Sequence, residues 1–268
     1  MAPIPHSHAV FGATGSRPWR FFLQIIASGC VGVGAAWPAP DEPPCPWPHQ
    51  TVDQRTADPV VACVPEDQGR WWAVATQHPP VLRIVDAAGQ EVRRWPVASL
   101  DRQTTHGIQG VWALKERHSW LLVPMGLKEW WEISHDPTAE PVFDGWVHDY
   151  RMGEGLASPG FLGVRRMPLA QPMALVGIES PPGQRLWQVP QGPAQSGPVS
   201  VDILHLANRR PVASFRLDTP VQQGAGRTVQ DGGRWFQLLD AASGAGTWWV
   251  PLPPDPGPPV WKFHSSGD

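Results

Sequence analysis

The residues of this chain that could do chemistry are concentrated in one stretch near its middle. His148, Tyr150 and Arg151 stand close together, and Arg165 and Arg166 follow a short distance later. Arginine presents a planar fork that suits carboxylates and phosphates, and glycine lets the backbone approach a ligand closely. The stretch also carries four glycines, Gly153, Gly155, Gly160 and Gly163. We therefore predict a loop that clamps an anion; the competing interpretation is a solvated connection whose glycines serve turns.

Two apolar runs flank this loop and must position it. Residues 130–134, Trp-Trp-Glu-Ile-Ser, have the composition of a strand and lead into the turn formed by residues 135–137, His-Asp-Pro. Residues 141–147 form a second apolar run that ends at His148. Because binding residues are often carried on loops that a rigid scaffold holds, this arrangement favours a ligand site on a framework of strands.

The same stretch resembles a known family. The resemblance lies in residues 131–137 (Trp-Glu-Ile-Ser-His-Asp-Pro), residues 147–155 (Val-His-Asp-Tyr-Arg-Met-Gly-Glu-Gly) and residues 159–161 (Pro-Gly-Phe). These runs are similar to the haem d1 domain family, which comprises the C-terminal β-propeller of cytochrome cd1-type nitrite reductases and related periplasmic proteins of haem d1 biosynthesis. The resemblance is dense over residues 111–168 and thin on either side. It is nearer to the biosynthetic or reductase-like branch than to the nitrite reductases themselves.

Membership of this family implies a cofactor and roles for the central residues. The cofactor would be haem d1 or a related tetrapyrrole, bound in the periplasm. Arg151, Arg165 and Arg166 would then hold the carboxylates of the ring. His148 and Tyr150 would face the metal or the reacting edge and are the catalytic candidates. The identity of any other metal stays open.

Two positions outside the central loop bear on the cofactor. His106 lies at a turn before a predicted strand and is a candidate ligand at the mouth of a propeller, with a surface or capping role as the alternative. Gln222 stands where the family resemblance implies a histidine over the haem. An amide cannot donate a proton near neutral pH as imidazole can, so the resemblance does not carry catalysis to this chain. The run at residues 169–176 also departs from the acidic, phenylalanine-rich sequence that the family implies there.

Composition favours an all-β fold. The 268 residues include 33 Pro, 27 Gly and 16 Trp, a balance that argues for many turns and against long helices. The chain is 41% hydrophobic, enough for one sizeable core, and its formal net charge of −3 gives no basic surface for nucleic acid.

A loose repeat identifies the kind of all-β fold. Strand-like segments with tryptophan recur in four regions, residues 69–97, 118–133, 185–217 and 232–250. Strand, turn and strand at a period of about 50 residues is typical of β-propeller blades. The chain has length for four to five blades, whereas the family propeller closes with eight, so we predict a small or partial propeller. Exposed sheet edges in a partial propeller would favour a protein partner or a homo-oligomer.

The N-terminal region has the layout of an export signal. Arg17 and Arg20 precede residues 21–36, which carry no charged side chain, and Ala36 is a suitable cleavage position. The alternatives are a lipid anchor on Cys30 and an uncleaved membrane anchor, although a full span needs about 20 residues. We therefore predict a signal peptide or anchor over residues 1–36, a Pro-rich linker over 37–50, a propeller domain over 51–263 and a tail over 264–268.

Cysteine content agrees with export and excludes a covalent cytochrome. Cys45 and Cys63 would remain after cleavage, and an oxidising compartment could join them, although two free buried thiols are equally compatible with the sequence. Nothing matches Cys-x-x-Cys-His or a zinc-binding spacing. Hydrolase and nucleotide-binding motifs are also lacking.

Two functions are thus retained from the sequence. The first is a periplasmic tetrapyrrole-binding propeller, and the second is a cofactor-free propeller scaffold in an exported complex. A self-sufficient nitrite reductase ranks last, because the chain has no electron-entry haem.

Overall fold

The computed structural model describes residues 44–47, 59–142, 157–179, 185–192, 197–208, 210–231, 233–252 and 262–265. All of them belong to the second of two compact units into which the chain divides, residues 33–268. Within these ranges the chain forms strands and one short 3-10 helix, η1 (Lys115–Arg117). The same ranges contain no helix with the length and apolar character needed to cross a bilayer.

The strands form four sheets, each made from four consecutive strands. The first sheet contains β1 (Val60–Pro65), β2 (Trp71–Gln77), β3 (Pro80–Asp86) and β4 (Glu91–Pro96). The second contains β5 (Ile108–Leu114), β6 (Ser119–Pro124), β7 (Glu129–Ser134) and β8 (Val164–Pro168). The third contains β9 (Met173–Glu179), β10 (Arg185–Pro190), β11 (Val199–His205) and β12 (Pro211–Leu217). The fourth contains β13 (Arg227–Asp231), β14 (Arg234–Asp240), β15 (Gly246–Leu252) and β16 (Lys262–Ser265).

Within each sheet, every strand pairs antiparallel with the strands next to it in sequence. Each sheet is therefore a four-stranded meander. Four successive meanders are the blades of a β-propeller, and the predicted all-β propeller fold is confirmed. The four regions of the sequence repeat fall within the four sheets. The second strand of each sheet carries a tryptophan, namely Trp72, Trp120, Trp187 and Trp235.

The hydrophobic core lies between consecutive sheets. Leu82 and Ile84 of the first sheet pack with Trp120, Trp131 and other residues of the second, and all four are at most 1% exposed. A second cluster joins the third and fourth sheets and contains, among others, Trp187, Val201, Leu239 and Val250. Burial of large side chains on both faces explains why these strands are rich in tryptophan and β-branched residues.

Glutamine side chains add hydrogen bonds between neighbouring sheets. Gln77 accepts a hydrogen bond from the backbone N–H of Ile108 at 3.1 Å. Gln109 exchanges two hydrogen bonds with the backbone of Leu175, both 3.1 Å long. Gln191 of the third sheet accepts from Gly126 at 2.6 Å and donates back to backbone carbonyls of the second and third sheets. These amides fix the sheets relative to one another, because each satisfies buried backbone groups of its neighbour.

Residues 44–47 lie against the first sheet. Cys45 forms a disulfide with Cys63 of β1, which decides the alternative that the sequence left open. Trp47 packs in a cluster that contains the buried Trp72. The Arg83 guanidinium lies 5.3 Å from the centre of the Trp47 ring. Part of the predicted linker therefore packs on the propeller, and at the other end of the chain β16 continues to Ser265, two residues past the predicted domain end at 263.

Candidate functional site

Three of the predicted site residues, His148, Tyr150 and Arg151, lie outside the described residues, in the segment 143–156. The flanks of that segment are described. Val142 and Ser158 form an isolated antiparallel bridge, with hydrogen bonds of 2.9 and 2.8 Å between their backbones. The bridge lies in the connection between β7 and β8.

Arg165 and Arg166 lie in strand β8, so their assignment to the glycine-rich loop was wrong. Since successive residues of a strand point to opposite faces, the two guanidinium groups are on different sides of the second sheet. Arg165 pairs with Glu132 and Arg166 with Trp131 in the register of β7 and β8. The two arginines therefore cannot act as one clamp.

Arg166 binds groups of the protein itself. Its Nη1 donates to Glu129 Oε1 at 2.6 Å and to the carbonyl oxygen of Ala98 at 3.2 Å. Its Cζ lies 4.5 Å from the centre of the Trp131 ring, and the Trp131 indole N–H also donates to Glu129, at 3.0 Å. Arg166 thus holds a carboxylate of its own chain and joins β8 to the connection between β4 and β5.

Arg165 lines a cleft with a volume of about 230 Å³. The cleft wall is formed by Arg117, Glu132, Ser134, Ala139, Glu140, Val142, Gly160, Gly163 and Arg165. Gly160 and Gly163 are needed there for backbone packing, since a Cβ atom would lie 2.0 Å from the Glu140 carbonyl oxygen and 2.1 Å from that of Pro159, respectively. These two glycines therefore shape the wall and do not themselves admit a ligand.

His106 and Gln222 lie in connections that lead into the first strand of a sheet. The Nδ1 atom of His106 is 3.1 Å from the carbonyl oxygen of Met125. Because a carbonyl only accepts, Nδ1 is the donor in this hydrogen bond. The Gln222 side chain is exposed, in the connection between β12 and β13, and its backbone N–H donates to Asp240 at 2.7 Å.

Two of the candidate residues, His106 and Arg165, thus lie towards opposite ends of the second sheet. The end of this sheet where β5 begins, beside Gly107 and Met125, is called the His106 end. The opposite end, where β7 stops, is called the His135 end. A strand of six residues spans about 20 Å. The cleft at Arg165 lies at the His135 end, and His106 lies at the other. The structure therefore does not bring the cleft and His106 together.

A tetrapyrrole fits these described residues only in part. Pockets for small molecules usually measure about 300–1,000 Å³, so the cleft is too small for a macrocycle but large enough for one of its carboxylate substituents. Arg165 suits that role, whereas Arg166 already holds Glu129. Among the described residues, no group of three His, Cys, Asp or Glu side chains is arranged to hold a metal ion.

Sequence reasoning missed a second polar cluster, where the first and second sheets meet at the His135 end. Glu66 and His135 are both buried, and Glu66 Oε2 lies 3.8 Å from His135 Nδ1. Asp67 Oδ2 lies 3.5 Å from His118 Nδ1, and the His135 ring packs 4.8 Å from that of Trp120. His135 is part of the sequence motif, but its acidic neighbours Glu66 and Asp67 lie about 70 positions earlier in the chain. Residue spacing therefore did not indicate the cluster.

Burial sets the ionisation of this cluster. Desolvation lowers the pKa of His135, and the nearby Glu66 and Asp67 only partly oppose it. Desolvation also acts to raise the pKa of Glu66, but hydrogen bonds from Arg70 and Gln68 outweigh it and hold that pKa below its usual value. In the motif turn, hydrogen bonds from Thr138 lower the pKa of Asp136. His135 is therefore neutral and Glu66 ionised near pH 7.

A pH dependence of stability follows from His135. Its pKa is lower in the folded than in the unfolded chain, so the unfolded chain binds more protons below the ordinary value of about 6.5. The contribution of neutral His135 to stability is then fully present above that pH, and it is lost as the pH falls towards the pKa of His135 in the folded chain. We expect urea midpoints to decrease from pH 7 to pH 5, with a smaller decrease in His135→Gln. An equal decrease in the variant would contradict the assignment to His135.

Sequence comparisons identify no relative of this chain: no protein-family model matches it, and no curated protein does. Comparison of structures gives similarities. The dihydro-heme d1 dehydrogenase NirN, in a structure in complex with DHE, matches with a TM-score of 0.55 and 19% identity, over 72% of this chain and 36% of that one. Hydrazine synthase of Kuenenia stuttgartiensis matches with a TM-score of 0.47 and 14% identity, over 77% of this chain and 54% of that one.

The similarity to NirN shows a shared propeller fold, and the weaker similarity to hydrazine synthase carries no argument about this chain. This chain spans about a third of the NirN structure and about half of the hydrazine synthase structure. The described residues thus define a β-propeller whose architecture is similar to part of the NirN structure.

Proposed function

We propose that this chain is an exported propeller of the haem d1 type that binds haem d1 or a related tetrapyrrole. The observation that carries the proposal is the fold shared with NirN, a protein whose structure contains DHE. It is supported by the resemblance of residues 131–161 to the haem d1 domain family, which falls within the second sheet and its connection from β7 to β8.

The residues assigned to the ligand are Arg165 at the His135 end of the second sheet and three residues that the sequence predicts, which lie outside the described ranges. Arg165 would bind a ring carboxylate in the cleft, with Arg151 as a second fork. His148 and Tyr150 would face the metal or the reacting edge of the ring. The bound group would supply redox chemistry at its iron, and the chain's own residues would bind and orient it. His106 and Gln222 stay candidates for contact with a ligand at the other end of the propeller.

Export is also proposed, with residues 1–36 as a signal peptide or anchor. The Cys45–Cys63 disulfide supports it, because such bonds persist in oxidising compartments such as the periplasm. A lipid on Cys30 is the alternative that would leave the protein attached to the membrane.

A second candidate function is a cofactor-free propeller scaffold that joins another protein or a further copy of itself. The observation that favours it is the ion pair between Arg166 and Glu129, which occupies a guanidinium that a tetrapyrrole site would need. The exposed apolar side chains of Leu100, Met125, Val212 and Phe263 offer contacts for a partner.

Titration of haem d1 into the purified protein distinguishes the two functions. If Arg151 and Arg165 hold carboxylates, each charge-assisted contact contributes about 1.5–3 kcal/mol, and replacement by alanine should weaken binding roughly ten- to a hundredfold. The exposed Arg234 of the fourth sheet provides the control, since Arg234→Ala should leave affinity unchanged. Equal affinities of all three variants and the wild type would contradict the assigned residues, and absent binding would leave the scaffold function.

A further inference from the structure

The cleft at the His135 end of the second sheet contains an arginine whose side chain has no partner among the residues that the structure describes. Arg165 is half-buried on the cleft wall, and its side chain makes no hydrogen bond or ion pair with any residue in the part of the chain that the structure describes. Half-buried arginines usually bind a carboxylate or a backbone carbonyl, because their five N–H groups all donate. Arg165 therefore lines a cavity with a guanidinium whose N–H groups have no acceptor among the described residues.

The neighbouring carboxylate does not neutralise Arg165, although it stands directly opposite in the sheet. Glu132 and Arg165 are register partners on β7 and β8. The Glu132 side chain also lines the cleft, but its Oε1 accepts hydrogen bonds from Arg117 Nε at 2.7 Å and from Ser119 Oγ at 3.0 Å. Glu132 is 5% exposed and Ser119 1%, so this arrangement is fixed by packing. The charge of Glu132 is balanced by Arg117, and that of Arg165 remains.

The size and rim of the cleft limit what it can hold. A volume of about 230 Å³ accommodates several waters, or a ligand with few non-hydrogen atoms, since one water occupies about 30 Å³ in the liquid. Glu140 lies exposed at the rim and adds a negative charge there. A ligand with one negative charge can reach Arg165, whereas a second negative charge would be repelled by Glu140.

We propose that this cleft binds small monocarboxylates, with the Arg165 guanidinium as a bidentate donor to the two carboxylate oxygens. The planar fork of arginine matches a carboxylate in geometry, and a lysine at the same position would not reproduce it. Elsewhere in the wall, the backbone at Gly160 and Gly163 packs closely against carbonyl groups, which helps to fix the shape of the cleft. A carboxylate substituent of a tetrapyrrole has the same chemistry, but a free carboxylate can bind whether or not the chain takes up a macrocycle.

The test is a titration of the full protein with propionate, followed by chemical-shift changes or calorimetry in a chloride buffer of constant ionic strength. The controls are propionamide, which has nearly the same shape without the charge, and inorganic phosphate, which carries more charge. We expect saturable binding of propionate and none of propionamide, with phosphate at least about tenfold weaker than propionate because of Glu140. Glu140→Gln should reduce the difference in affinity between phosphate and propionate.

The variants assign the binding to Arg165. Arg165→Ala should abolish it or weaken it at least about tenfold, Arg165→Lys should weaken it less, and Arg234→Ala on the fourth sheet should leave it unchanged. A near-ultraviolet circular dichroism spectrum equal to that of the wild type shows that a variant is folded. If Arg165→Ala does not fold, Arg165→Lys takes its place in the test. Equal binding in the wild type and Arg165→Ala, or binding of propionamide as tight as of propionate, would overturn the proposal. Failure of haem d1 to bind, with propionate bound normally, would count only against the proposed function.

Discussion

Replacement of Arg166 by alanine is expected to lower the free energy of unfolding by about 3 kcal/mol, the lower end of the usual cost of breaking a buried ion pair, because this pair is only partly buried. The Arg166 and Glu129 side chains are only 18% and 13% exposed, so the variant leaves a carboxylate partly buried without its counter-charge. The variant also loses the stacking on Trp131 and the hydrogen bond to Ala98. Urea unfolding followed by tryptophan fluorescence measures the effect.

The matched control for this prediction is the adjacent arginine. Arg165→Ala removes the same side chain from the other face of β8, where it makes no ion pair with the described residues, and should change stability by only about 0.5 kcal/mol. In the double variant with Glu129→Ala, the two costs should be clearly non-additive because the groups act as a pair. If Arg165→Ala proved as destabilising as Arg166→Ala, the distinction between the two arginines would be wrong.

Loss of the Cys45–Cys63 disulfide is the second large effect that we expect. The bond closes a loop with a sequence separation of 18, for which chain entropy alone predicts a loss of about 3 kcal/mol. The loss also frees residues 44–47 from the first sheet, where Trp47 packs in the cluster that buries Trp72 and Val74. Cys45→Ser/Cys63→Ser should therefore lower the urea midpoint.

Reduction provides a check of that prediction without substitution. A dithiol reductant should lower the midpoint of the wild type towards that of the double variant and leave the variant unchanged. A wild-type midpoint that does not respond to the reductant, in protein whose thiols titrate as reduced, would show that the bond contributes nothing to stability.

The strands were predictable because their determinants are local. Segments such as Trp71–Gln77 and Arg234–Asp240 combine tryptophan, valine or leucine with turn-forming glycine nearby, and their recurrence identified the propeller. The disulfide was predictable as one of two alternatives, since two cysteines can pair in an oxidising compartment or remain free. The choice depended on the distance between them, which the fold brings to 6.0 Å between Cα atoms.

The site was less predictable because it depends on strand register. Arg165 and Arg166 are adjacent in sequence, but only the pairing of β8 with β7 shows that one faces Glu132 and the other Trp131. The partner that occupies Arg166 is 37 positions earlier in the chain. In the same way, the two hydrogen bonds of Gln109 connect it to a backbone 66 positions away, and no local pattern distinguishes it from an exposed glutamine.

The central claim, a haem d1-type propeller that binds a tetrapyrrole, is tested most directly by an absorbance titration. Haem d1 absorbs in the red, where protein does not, so binding can be followed without interference from the many tryptophans. We predict a saturable change in the red bands on addition of wild-type protein, complete at one equivalent per chain. A spectrum equal to the sum of free haem d1 and protein at every ratio would contradict the claim.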